Sequence, residues 1–174
     1  MNNDQFNEAI ERLEMLSEEV ERIKRALLAA KEGMPFTEAW NEEVFLEAKQ
    51  EEKKGKAYLS RMIEHLLKVK YCTNDRNYDH WIGEINTFKA KTIDITDWKS
   101  KRKRDTNLIN TLTDDLDDIY DVAIEHYEDD AKEYPDLRDG LELIPEECPW
   151  NLSELMDDSI NELLDKLPIE KEDE

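Results

Sequence analysis

From Phe6 onward the apolar residues return at alternating spacings of three and four: Phe6, Ala9, Leu13, Leu16, Val20, Ile23, Leu27 and Ala30. That is the a/d pattern of a coiled-coil seam held for four heptads, and it predicts a long helix with one continuous apolar stripe. Ile10 widens the stripe at its start. A heptad describes a surface and leaves its partner open. The stripe therefore suits a helix packed on its own domain, an antiparallel hairpin, or a homodimer joined through residues 6–30. The segment "KEGMPF" ends the helix, with Gly33 placed for a C-terminal cap and Pro35 close behind it.

A second helix is predicted from near Thr37 to about Tyr71, with Trp40, Val44, Phe45, Ala48, Leu59, Met62, Ile63, Leu66 and Val69 as its apolar positions. Its middle, "KQEEKKGK", has almost no apolar residue and contains Gly55, so a kink or an exposed stretch is expected there. "CTNDRNYD" reads as a loop in which Asn77 or Asp79 caps a third helix carrying Trp81, Ile82, Ile85 and Phe88. "TIDITDWKSKRKRDT" reads as the end of that helix and a loop. Asp105 or Thr106 then caps one amphipathic helix. It presents Leu108, Leu112, Leu116, Ile119, Ala123 and Tyr127 on one face and "DDLDD" and "EDD" on the other, until Pro135 stops it. A last helix is predicted from Asn151 or Ser153 to Leu163 or Leu164. Before it, "IPEECPW" holds Pro145 and Pro149, which fix φ and bias the residues before them to extended geometry. It is expected as a strap, with Ile144, Cys148 and Trp150 inward and Glu146 and Glu147 in water.

Glycine occupies only 4 of 174 positions and 40% of the residues are charged. Sandwiches and barrels need turn residues about every 8 to 12 positions, so this balance points to helices with solvated faces. The 39% apolar content suffices for one core. The expected fold is all-α: a helical bundle of about five helices, with a long N-terminal heptad-patterned helix and an extended Pro-Cys-Pro strap before the last helix. Residues 1–33 are expected as the coiled-coil-like helix, 34–168 as the bundle domain and 169–174 as an acidic disordered tail. Without an apolar run of about 18 to 20 residues no membrane span is expected. The opening "MNNDQFNEAIERLEM" does not read as a signal peptide, so a cytoplasmic setting is expected, with Cys72 and Cys148 both reduced.

Charge changes the picture more than composition does. Residues 1–71 hold 12 Lys+Arg against 15 Asp+Glu, residues 72–104 hold 8 against 5, and residues 105–174 hold 4 against 25. The net charge of −21 thus has its source in the last 70 residues. Such a surface repels phosphates, so nucleic-acid binding is disfavoured and a basic protein partner is favoured. The basic run "KSKRKR", residues 99–104, has the acidic part of its own chain as its simplest target.

Metal chemistry would need convergent ligands, and none of His65, His80 and His126 lies three or four residues from another. Glu125 with Asp129, and His126 with Asp130, do share helix faces, but acids this dense form such pairs without a metal. No metal ligand, catalytic residue or cofactor is assigned. Cys148 follows two glutamates, an environment that works against a thiolate nucleophile.

Two stretches carry a resemblance. "SRMIEHLLKVKY" (Ser60 to Tyr71) is followed ten residues on by Trp81, and "LIPEECPWNLSELMDD" (Leu143 to Asp158) closes the segment. Together they resemble the domain of unknown function 29 family of small bacterial proteins, over roughly residues 38–160. The matching positions are Ser60, Arg61, His65, Leu66, Leu67, Lys68, Tyr71, Trp81, Pro145, Cys148, Pro149, Trp150, Glu154 and Leu155. The resemblance implies an all-helical bundle and no established activity. It marks His65, Lys68, Tyr71, Trp81, Cys148 and Trp150 as a family motif, and a buried His65 hydrogen-bonded to a carboxylate is the simplest role for the histidine.

The sequence thus favours a non-enzymatic protein-interaction module. Its basic partner would be met by Asp114, Asp115, Asp117, Asp118, Glu128, Asp129 and Asp130, in the manner of an antitoxin, immunity protein or inhibitor. The reading from a different class is a metal-dependent hydrolase or nuclease built between helices of the bundle.

Overall fold

The computed structural model describes residues 20–72, 75–100 and 105–169. Every regular element among the described residues is helical. Helix α1 is described over residues 20–31, and α2 spans Phe36–Tyr71. A 3-10 turn at Asp75–Asn77 leads into α3, Tyr78–Ile95. Then come α4 (Thr106–Asp114), α5 (Leu116–Glu133), a 3-10 segment (Pro135–Leu143), α6 (Leu152–Asp157) and α7 (Ile160–Asp165). The chain divides into two compact units between Gln50 and Glu51. No helix among the described residues is long and apolar enough to cross a membrane.

In the first unit Gly33 takes φ of 106°, a left-handed value that favours glycine, and ends α1. The Met34 N–H donates back to the Ala29 carbonyl at 3.3 Å, closing the cap. Arg22 pairs with Glu47 and lies over the Trp40 ring, and Ala26 is fully buried. The heptad positions Val20, Ile23 and Leu27 are exposed. Residues 22 and 26 share a face turned by more than a quarter circle from 20, 23 and 27, so the two sets serve different sides of the helix. Heptad positions 6–16 lie outside the described residues.

The second unit holds the main core. Leu59, Met62, Ile63, Leu66 and Leu67 of α2 are fully buried with Ile85, Leu112, Tyr120, Tyr127, Leu155 and Leu163. This gathers the apolar stripes predicted for the later helices around one half of α2. Around Gly55 the helix is unbroken, and Lys49, Gln50, Lys53 and Lys54 are exposed as expected, while Gly55 itself is buried. A Cβ there would stand 3.1 Å from the Leu112 methyls, so the missing side chain lets α4 approach closely.

Two long predicted helices prove to be pairs of shorter ones, so the bundle has more elements than the five expected. The stretch from Asp105 to Tyr127 breaks at Asp115, which closes α4 and opens α5. Its carboxylate is held by Lys56 of α2 at 2.7 Å, and that cross-helix tie fixes the corner. At the start of α4 the Asp105 side chain accepts from the amides of Asn107 and Leu108, the N-cap expected. Asn77 precedes α3 without a side-chain capping bond. The last helix is likewise split into α6 and α7, each opened by its own capping box: Asn151 with Glu154, and Ser159 with Glu162.

Three buried phenols hold the 3-10 segment and the non-helical stretch that follows it. Tyr71 donates to the Leu143 carbonyl at 3.1 Å, Tyr127 to Leu137 at 2.9 Å and Tyr120 to Pro145 at 2.9 Å. Burial raises the pKa of all three, that of Tyr71 to about 12. Gly140 makes this docking possible, since a Cβ there would sit 2.4 Å from Tyr71 Cβ and 2.5 Å from Tyr127 Oη. Residues 145–151 are non-helical, with Trp150 buried, Ile144 and Cys148 half-buried, and Glu146 and Glu147 exposed.

Candidate functional site

The motif stretch Ser60 to Tyr71 lies on α2, where Glu64 and Lys68 meet His126 and Asp130 of α5. Ser60, Glu64 and Lys68 follow one another at four-residue spacing and share a buried face. Glu64 is 1% exposed and Lys68 6%, yet both are satisfied in charge. One Glu64 oxygen accepts from Lys68 Nζ at 2.5 Å and the other from Arg61 Nη1 at 2.7 Å. Lys68 also donates to Asp130 of α5. The order Arg61–Glu64–Lys68–Asp130 is therefore an alternating chain of charge, sealed in the middle and reaching solvent at Arg61 and Asp130. A buried carboxylate or ammonium without its partner would cost several kcal/mol, and here each has two.

His65 is buried beside this chain, but its partner differs from the one expected. Its Nδ1 lies 2.8 Å from the Arg61 carbonyl of its own helix, and its ring meets Phe88 edge-on at 5.9 Å. Nδ1 is the protonated nitrogen in that contact, because a carbonyl can only accept. Burial pushes the imidazole pKa below its ordinary value. His126 of α5 is the histidine near a carboxylate, with Nδ1 3.6 Å from Glu64 Oε2. His80 is exposed on α3. Among the described residues no three His, Cys, Asp or Glu side chains gather as a metal site.

Two clefts lie along the chain. At the Lys68 end, a cavity of about 530 Å³ is bordered by Cys72, His80, Trp81, Asp130 and Tyr134. At the Arg61 end, a second of about 410 Å³ is bordered by Lys56, Ala57, Ser60, Asp118, Val122 and His126. The remaining motif residues serve the strap. Trp150 Nε1 donates to the Leu163 carbonyl at 3.0 Å, and its ring stands edge-on to Tyr120 at 6.4 Å. Cys148 donates to the Trp150 carbonyl at 3.4 Å, and burial pushes its thiol up to about 11. Cys72 and Cys148 are both free thiols.

The acidic residues fall into two groups. Asp115 is taken by Lys56, Asp129 by Lys132 and Asp130 by Lys68. Asp114, Asp117, Asp118, Asp121, Glu125 and Glu128 are exposed, and among the described residues no cation pairs with them. Asp117, Asp121, Glu125 and Glu128 follow at spacings of four, four and three, forming one like-charged stripe along the outside of α5. The only run of basic residues, at 101–104, lies outside the described residues.

Sequence reasoning named His65 and Lys68 but passed over Glu64, the centre of the chain. The signal was present: an acid four residues before a lysine and three after an arginine on one helix. What the sequence does not carry is the burial that makes this pair different from a surface one.

A search of the curated proteins and of the solved structures returns no match. The family model described as Domain of unknown function DUF29 matches residues 37–160, the stretch that contains the charge chain, the acidic stripe and the Trp150 anchor, and the chain belongs to that family.

Proposed function

We propose that this protein is an interaction module that docks a basic segment of another protein on the outer face of α4 and α5. The observation that carries it is the unpaired stripe of Asp117, Asp121, Glu125 and Glu128. Like charges at i,i+4 each cost a helix roughly 0.2–0.5 kcal/mol. A chain that neutralises its buried acids one by one leaves this face unneutralised. Exposed single-sign potential of this kind steers an oppositely charged partner and raises its association rate. An antitoxin, immunity protein or inhibitor with a basic target is the narrower form of the same reading, and a cytoplasmic setting suits it.

The test uses the full chain and a labelled nona-arginine peptide, followed by fluorescence anisotropy at about 0.15 M salt and again at about 0.5 M. Saturable binding that weakens steeply with salt, and is lost in Asp114→Asn/Asp117→Asn/Asp121→Asn, supports the reading. Equal binding by the triple variant and the parent sinks it.

A further inference from the structure

The cleft at the Arg61 end contains polar atoms that the fold leaves unmatched. Ser60 is 3% exposed, and its Oγ has no hydrogen-bond partner. A buried serine on a helix usually bonds to the carbonyl four residues back, and this one does not. His126 Nδ1 is also enclosed without a hydrogen bond. It lies 3.6 Å from Glu64 Oε2, beyond hydrogen-bond reach. At the rim, Asp118 carries a carboxylate that no cation pairs among the described residues.

The cations at this cleft are already committed. Lys56 donates to Glu52 and pairs with Asp115, each at 2.7 Å, and Arg61 donates to Glu64. The walls between the polar atoms are Ala57, Ile119 and Val122. An occupant that completes the site therefore brings N–H donors at the end of an apolar stem. A planar guanidinium, with five donors in a fixed fork, reaches several separated acceptors better than an ammonium does.

We propose that this cleft receives one arginine side chain of the basic partner. Its methylenes lie on Ala57, Ile119 and Val122, and its guanidinium donates to Asp118 and, after rotation of the serine hydroxyl, to Ser60 Oγ beside His126. The proposal rests on the reading of the acidic face given above. It adds to charge attraction a single anchoring residue and its place.

Nona-arginine and nona-lysine peptides, measured by anisotropy against the full chain at about 0.15 M salt, provide the test. Val122→Trp fills the cleft mouth without changing charge, and Ser60→Ala removes the unmatched hydroxyl. Nona-arginine binding tighter than nona-lysine is expected, with at least tenfold loss in Val122→Trp. In Ser60→Ala about fivefold loss is expected while Tm stays equal or rises, because an unsatisfied buried hydroxyl is removed. A merely structural serine would not combine weaker binding with undiminished stability. Should both variants bind as the parent does while Asp114→Asn/Asp117→Asn/Asp121→Asn fails to bind, the cleft proposal falls and the acidic face stands. Nona-lysine binding as tightly as nona-arginine overturns the arginine assignment, and a parent chain that binds neither peptide overturns both readings.

Discussion

The inner and outer flanks of α5 are both rich in polar groups, yet they are treated in opposite ways. On the inner flank Asp130 meets Lys68, and Tyr120 and Tyr127 each donate to a backbone carbonyl. On the outer flank Asp117, Asp121, Glu125 and Glu128 stand in line with no ion pair among the described residues. Charge close to the core is matched atom by atom, because an unmatched ion there would be ruinous. Charge in water is tolerated unmatched, and its persistence along one stripe is what points outward to a partner. Polarity on a helix thus says little until its neighbours are known.

The contrast breaks most visibly at Lys68. Lys68→Ala leaves Glu64 with Arg61 alone and Asp130 with nothing, and a loss of about 3–5 kcal/mol is expected in urea unfolding. Replacing the pair together, as Glu64→Leu/Lys68→Met, is expected to recover most of that loss. If Lys68→Ala costs less than about 1 kcal/mol, the inner flank is no more sealed than the outer one. Tyr127→Phe comes next. It leaves the buried Leu137 carbonyl without its donor, and a cost of about 1–3 kcal/mol is expected in the same measurement.

A pH titration of stability sharpens the inner side further. The His65 pKa is lowered in the folded chain, so below its ordinary value near 6.5 the unfolded chain binds the proton first. Stability from His65 is complete above about pH 6.5 and declines as pH falls toward the lower folded value. Tm between about pH 7 and pH 5 should therefore fall less in His65→Gln than in the parent. Identical slopes would mean that the ring is not enclosed. The smallest effect belongs to the outer flank. Asp117→Asn/Asp121→Asn should raise stability slightly, by up to about 0.5 kcal/mol, since two like-charged i,i+4 pairs, Asp117–Asp121 and Asp121–Glu125, are removed while the favourable place of Asp117 in the first turn of α5 is lost. A clear loss of stability there would show that these carboxylates serve the fold.

Much of the secondary structure was legible because local rules decide it. The glycine stop at Gly33, the cap at Asp105 and the end of α5 before Pro135 follow from φ preference, a carboxylate near free amides and a missing N–H. The split between α6 and α7 was legible too, in "NLSE" and "SINE", each with the spacing of a capping box. The break at Asp115 was not legible, since it depends on Lys56, which is 59 residues away. The heptad seam shows the same limit: Val20, Ile23 and Leu27 keep their spacing, but spacing alone did not place them on the exposed side.

The sequence by itself determined the all-α class, the family motifs and the concentration of negative charge in the last 70 residues. Periodicity, glycine scarcity and net charge are sums along the chain and need no neighbours in space. Only the tertiary structure decided which acids were spent and which were free. Asp115 and Asp130 read like their neighbours in sequence, yet each stands against a lysine of α2, and Glu64 is enclosed while Glu125 is in water. The energy of a charge depends on the dielectric and partners within a few ångströms, and long-range packing sets both.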